Sequence, residues 1–162
     1  MTLTTELVAA LDGPHAALRE TLAVCPAAVL DRKGVVGRWS IKNVLAHLVT
    51  WQSLVVDSLP GRITTAVVPK VFTMPPAERF AFLVERIGER DALSPQQQIV
   101  ELERTHRRVD GFIRSLGDDL LAQDHIWPEW PGTLAAYLAG LGSIEQAALD
   151  RIRTGLQRLP PE

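Results

Sequence analysis

The sequence predicts an all-α protein: a four-helix bundle in a single domain spanning residues 1–162, with a long connection between its second and third core helices. Three observations predict it. Four long segments space their apolar side chains three and four residues apart, no pair of alternating runs is joined by a hairpin turn, and proline or glycine falls between the segments. Amphipathic helices of this kind bury their stripes against one another, most simply as a bundle.

The first helix is expected from Thr5 to Cys25. Val8, Leu11, Leu18 and Leu22 form its stripe, with His15 where the next apolar residue belongs. Gly13-Pro14 lies inside it, and proline removes a backbone donor and clashes one turn back, so a kink or a true start near Pro14 is expected. Pro26 closes the segment. The second helix begins with Ser40 as N-cap and runs to Leu59, stopped by Pro60-Gly61, with Val44, Leu48, Trp51 and Val55 inward and His47 on the flank. Residues 61–93 are mixed. Thr64 to Val68 reads as extended, Met74-Pro75-Pro76 as a break, and Ala77 to Gly88 as a short helix. A connection this long is a crossover or a lid over a pocket.

Ser94-Pro95-Gln96-Gln97 supplies serine at N-cap, proline at N1 and glutamine at N3, a capping box that starts the third core helix. Ile99, Leu102, His106, Val109, Ile113 and Leu116 continue its stripe to Gly117, His106 replacing a core residue as His15 does. Asp118 to Gly132 reads as a loop. The last helix begins near Thr133 and turns Leu134, Leu138, Leu141, Ala148 and Ile152 inward, with Glu145 on the same stripe. Gly140 and Gly142 imply close backbone packing or a break before Ser143. The tail from Leu159 to Glu162 is expected to fray.

Seventeen basic and nineteen acidic residues leave a net charge of −2, without the basic excess of a dedicated nucleic-acid binder, so no nucleic-acid partner is expected. The single cysteine, Cys25, excludes an intrachain disulfide and a cysteine-rich zinc site; it reads as a small apolar core residue and fits a reducing compartment. The N-terminus has no basic start followed by an apolar core, and no apolar run reaches the ~20 residues that span a bilayer. A cytoplasmic protein without a membrane partner is expected. Arg104, Arg107 and Arg108 read as a solvated helical face, or as a receiver for an anionic ligand.

The run from Gly37 to Trp51 is the most specific in the chain. Trp39-Ser40, the core Leu45-Ala46-His47-Leu48, Trp51, and a closing helix ending in Ile152-Arg153 resemble the DinB/YfiT-like superfamily of four-helix-bundle metalloenzymes, and most closely its ClbS/DfsB branch. The resemblance implies a divalent metal held by three histidines, one on the second helix and two on the last. His47 matches the first. The other two positions fall on Ile144 and Ala148, which cannot bind a metal, and Asn43 stands where the family often has an acidic residue. The inherited triad is therefore incomplete, and no cofactor is expected.

His47 is the candidate catalytic residue, as general base or as hydrogen-bond donor to a ligand; otherwise it is a core histidine bonded to a neighbour. Trp39, Trp51, His106, Glu145 and Tyr137 are candidate ligand-binding residues. Trp127 and Trp130 join Trp39 and Trp51 as walls of a pocket or as plugs of the bundle end, and His125 beside them reads as exposed. His15, His47, His106 and Glu145 lie on inward stripes of four helices and are the candidates for a rebuilt divalent-metal site. The expected function is a small-molecule-binding or hydrolytic protein of ClbS/DfsB type acting on a reactive metabolite. The alternatives are a catalytically silent binding or dimerisation bundle, which makes a homodimer a further expectation, and a metalloenzyme with a rebuilt site.

Overall fold

The computed structural model describes residues 2–65, 73–124 and 132–160, the side chains of 61–65 excepted. Seven helices occur among them: α1 (Leu3–Ala23), α2 (Ala27–Asp31), α3 (Ile41–Thr65), α4 (Pro76–Gly88), α5 (Pro95–Leu116), α6 (Asp118–Leu121) and α7 (Leu134–Gln157). The four long ones, α1, α3, α5 and α7, form the expected bundle. No helix among the described residues is long and apolar enough to cross a membrane.

Side-chain pairs fix the directions. His15 meets Glu145 and Ala10 lies against Gly142, so α1 and α7 run parallel. Asp12 meets His106 and Arg19 meets Glu103, so α5 descends as α1 climbs. Asn43 reaches Asp91 at one end of α3 and Asp57 reaches Arg108 at the other, so α3 and α5 are parallel too. Parallel neighbours cannot be joined by a tight turn. The long connection is thus a crossover, and its helix α4 packs on α3.

A late start near Pro14 and a stop at Pro60 were among the expectations, and neither occurs. α1 starts at Leu3 rather than near Pro14, with Thr2 as N-cap and Pro14 inside it. Its first turn is also held from outside: the Asp118 carboxylate accepts from the Leu3 and Thr4 backbone N–H groups and the Thr4 hydroxyl. These bonds, the hydroxyl's first, hold Asp118 below the usual carboxylate range. Pro14 removes the N–H that would bond the Ala10 carbonyl, and that carbonyl faces Gly142 of α7. A Cβ at Gly142 would stand 2.7 Å from the Ala10 oxygen, so glycine is what lets the two backbones approach. Of the two outcomes expected for the glycine pair, close packing is observed at Gly142, while Gly140 has open space around it, and α7 continues unbroken through Ser143. Likewise α3 passes Pro60 to Thr65 instead of stopping at Leu59. Pro60 is exposed, where loss of one backbone bond costs least because water replaces it. Thr64 and Thr65 are helical, correcting the extended reading there; 66–68 lie outside the described residues.

The expected loop after Gly117 begins with the short α6, and α2 was not anticipated. The Ser94 capping box is present as predicted. Ser40 caps α3 in the same way. Its Oγ accepts the Asn43 N–H at 3.1 Å, and its own N–H donates to Asn43 Oδ1 at 3.2 Å. Asn43 is thus a capping residue that also donates to Asp91. Cys25 is half-buried rather than a full core residue, at the edge of the apolar cluster.

The core falls into two apolar clusters. One gathers Leu18, Leu22, Leu45, Leu48, Val49, Leu102, Leu149 and Ile152; the other Leu7, Leu11, Val55, Leu59, Val109, Ile113, Leu138 and Leu141. On every core helix the gap between the clusters is filled by a polar residue: His15, Gln52, His106 and Glu145. A polar layer therefore crosses the bundle between two apolar halves.

Candidate functional site

The expected grouping of four donors divides in two. His15, His106 and Glu145 come together in the polar layer, and His47, five residues before Gln52 on α3, lies apart in a surface cleft.

In the layer, Glu145 is wholly buried, 0% exposed. One carboxylate oxygen accepts from His15 Nδ1 at 2.8 Å and the other from Gln52 Nε2 at 3.1 Å. His106 Nε2 lies 2.9 Å from the Asp12 carboxylate. The imidazoles of His15 and His106 stack with centroids 3.7 Å apart and planes within 5°. A carboxylate accepts, so the His15 proton sits on Nδ1 and that of His106 on Nε2. A groove of about 450 Å³ bordered by Asp12, Arg19, Glu103 and Arg107 reaches the two rings.

One ligand atom each from His15, His106 and Glu145 lies within 4.8 Å of the others, the donor types of a divalent-metal site. The ring geometry opposes chelation. An imidazole lone pair lies in its ring plane, and two stacked rings within 5° of parallel, their centroids 3.7 Å apart, do not aim their lone pairs at one nearby point, so one ring must leave the stack before both can bind one ion. The layer as built is a hydrogen-bonded network with metal-ligand composition.

The second feature is a cleft of about 870 Å³ between α3, α7 and the segment from Val35 to Trp39. That segment is a tight turn. Val36 and Trp39 exchange both backbone bonds at 3.0 Å, and Gly37 takes φ +65°, a left-handed conformation that favours glycine. The turn carries Trp39 to the cleft wall. Gly155 of α7 lies so close to Val35 that a Cβ there would overlap its carbonyl oxygen. His47 lines the cleft from α3, Ile144 and Ala148 from α7, and Phe80 from the crossover helix α4.

His47 Nδ1 is buried and has no hydrogen-bond partner among the described residues. Trp39 and Trp51 meet the ring edge-on, at centroid distances of 5.8 and 6.4 Å. Burial, and secondarily the Arg151 guanidinium, push the imidazole below its ordinary 6.5, so it is neutral at physiological pH. Trp51 touches His47 without lining the cleft, and Tyr137 packs at the edge of the far apolar cluster. His106 and Glu145 belong to the polar layer. His125, Trp127 and Trp130 lie outside the described residues.

His47, Ile144 and Ala148 thus occupy one cleft, as superposing a three-histidine site on this chain requires. They do not fit such a metal: a single imidazole remains, beside an isoleucine and an alanine without donor atoms. Sequence reading missed the part taken by Arg38, Arg151 and Arg158, which also line the cleft. Their signal was present, since Arg151 follows Ile144 and Ala148 by two helical turns and one on α7.

No curated protein matches the sequence. Two solved structures share the architecture. An uncharacterised protein from Escherichia coli UTI89 superposes with a TM-score of 0.83 at 19% identity, covering 95% of this chain and 92% of its own. The colibactin self-resistance protein ClbS, solved in complex with double-stranded DNA, superposes with a TM-score of 0.82 at 15% identity, covering 97% of each chain. The family model of the DinB superfamily matches residues 10–146, a span holding His15, His47, His106, Glu145 and most of both apolar clusters, and the chain belongs to that superfamily.

Proposed function

We propose that this chain is a ClbS-like small-molecule-binding protein whose ligand enters the cleft at His47 without a histidine-triad metal. One observation carries the reading: a cleft of about 870 Å³, within the ~300–1,000 Å³ of small-molecule sites, is lined by a neutral imidazole whose buried Nδ1 has no partner among the described residues. A buried lone pair costs less than a buried N–H, which favours the proton on Nε2 and makes His47 a hydrogen-bond donor rather than a general base. Trp39 and Phe80 supply apolar walls. Binding is therefore the better-supported activity, with hydrolysis of a reactive ligand a further step requiring its own water-activating group.

The test uses N-phenyl-1-naphthylamine, an uncharged aromatic amine that fluoresces in apolar sites. Saturable binding should be weakened by His47→Ala and abolished by Ile144→Trp, which fills the cleft from a partly exposed position. Circular dichroism must show both variants folded. Binding unaffected by Ile144→Trp would remove the cleft reading.

The donor set of the polar layer favours a second reading, a metal site rebuilt at His15, His106 and Glu145. It requires the stack to open. Stoichiometric zinc uptake lost in His106→Ala, and not in His47→Ala, would support it.

A further inference from the structure

On α1 and α5 four guanidiniums are ion-paired: Arg19 meets Glu103, Arg104 meets Glu101, Arg108 meets Asp57 and Arg114 meets Asp110. The cleft gathers three that are not. Arg38, Arg151 and Arg158 all line it, and none makes an ion pair or side-chain hydrogen bond among the described residues. Among the described residues one carboxylate, that of Asp150, lies on its wall, engaged by the Gln146 amide at 2.9 Å. Three guanidiniums thus share one concave surface of a protein of net charge −2.

The apolar side of the same cleft is equally unusual. Phe80 and Ile144 are two of the few large hydrophobic side chains left exposed, at 60% and 37%, and both lie on its wall. Trp39 adds an indole face. Isolated exposed hydrophobics need no explanation, but two on one concavity beside three unpaired guanidiniums do.

From these two observations we infer that the ligand is an amphipathic organic anion, an aromatic or aliphatic body carrying a carboxylate, sulfonate or phosphate. The body lies against Phe80, Ile144 and Trp39, and the anionic group is received by Arg151 with Arg38 or Arg158. This rests on the proposed small-molecule reading and names the class of molecule. A planar guanidinium fork matches such oxyanions in two-point contact. The cleft's size suits a small molecule rather than a duplex, whose backbone would demand a long basic track that the near-neutral chain lacks.

The experiment compares 8-anilinonaphthalene-1-sulfonate with N-phenyl-1-naphthylamine, the same skeleton without the sulfonate. The wild-type protein should bind the sulfonate more tightly, with an affinity that falls as salt is raised. Arg151→Gln should cost the sulfonate roughly five- to tenfold while leaving the uncharged probe unchanged, in the range of one partly exposed charge-assisted contact. Ile144→Trp should abolish both. Equal affinities, or an Arg151→Gln variant that binds the sulfonate as the wild type does, would overturn the anion assignment and leave the cleft reading standing. Failure of both probes would remove the cleft reading and this inference with it. Competition separates the sources of anion: 1-naphthyl phosphate should displace the bound sulfonate, and displacement by duplex DNA but not by 1-naphthyl phosphate would reassign the arginines to nucleic acid.

Discussion

Glu145 and Gln98 are both 0% exposed, and both are polar, yet replacing each with leucine should move stability in opposite directions. Glu145 is fully engaged, by His15 and by Gln52. Glu145→Leu would leave His15 Nδ1 and the Gln52 amide buried without an acceptor, each at a cost of about 1–3 kcal/mol. Sparing the desolvation of the carboxylate offsets part of this, so the net loss should be about 2–5 kcal/mol, overlapping the about 3–5 kcal/mol for breaking a buried pair from one side. At ~2–4 °C per kcal/mol for a chain of this size, Tm should fall by roughly 4–20 °C. Gln98 has neither its amide nitrogen nor its oxygen bonded among the described residues. Gln98→Leu therefore removes two unsatisfied groups at nearly constant volume and should raise stability by about 1–3 kcal/mol. Urea unfolding followed by circular dichroism measures both. Equal shifts of the same sign would refute the premise that hydrogen-bond satisfaction, rather than burial itself, sets the cost of these groups.

Gly155→Ala should destabilise by about 1–3 kcal/mol. The overlap with the Val35 carbonyl outweighs the ~1 kcal/mol of helix propensity gained, whereas Gly111→Ala, with open space around it, should stabilise by up to ~1 kcal/mol. Thermal melts of the two variants moving in the same direction would contradict this. His47 has its folded-state value lowered, so as pH falls the unfolded chain takes up its proton first. Its contribution is full above 6.5 and is lost as pH drops through the lowered folded value. Urea midpoints of the wild type should accordingly fall faster than those of His47→Ala on acidification below 6.5, and parallel curves would be the contrary result. Installing histidines at Ile144 and Ala148 together should create one zinc site detectable by calorimetry and abolished by His47→Ala. Absence of heat would show that the three cleft positions do not converge.

The bundle was legible in the sequence because its information is periodic and local: stripes at three-four spacing, and serine caps at 40 and 94. The errors have local causes too. Pro14 read as a kink or a late start and Pro60 as a stop because propensity counts the lost hydrogen bond, but not the surroundings. Asp118, distant in sequence, holds the first turn of α1, and Pro60 falls on an exposed turn. The four inward donors were legible as residues on stripes, but their relative heights depended on the direction of α5. That direction is decided by a crossover whose packing leaves no periodic trace. Once α3 and α5 run parallel, Gln52 rather than His47 stands level with His106, and His47 is left to the cleft.

That division separates two kinds of polar residue that look alike in sequence. His15 and Gln52 are hydrogen-bonded to Glu145, and His106 stacks on His15 and is held by Asp12, so removing any of them first costs stability. His47 Nδ1 and the guanidiniums of Arg38, Arg151 and Arg158 have no such partners among the described residues. A group already satisfied internally gains little from a ligand; one left unsatisfied in a concave, partly apolar surface gains the whole bond when a ligand arrives. Ile144 and Ala148 sharpen the contrast. With isoleucine and alanine at these positions the cleft stands open at about 870 Å³ instead of packed shut, and Arg151 lies one turn beyond Ala148 on the same helix. A core position would be filled with apolar side chains and its charges paired. This cleft has volume, an exposed phenyl ring and guanidiniums without a partner among the described residues, the groups that a ligand would satisfy.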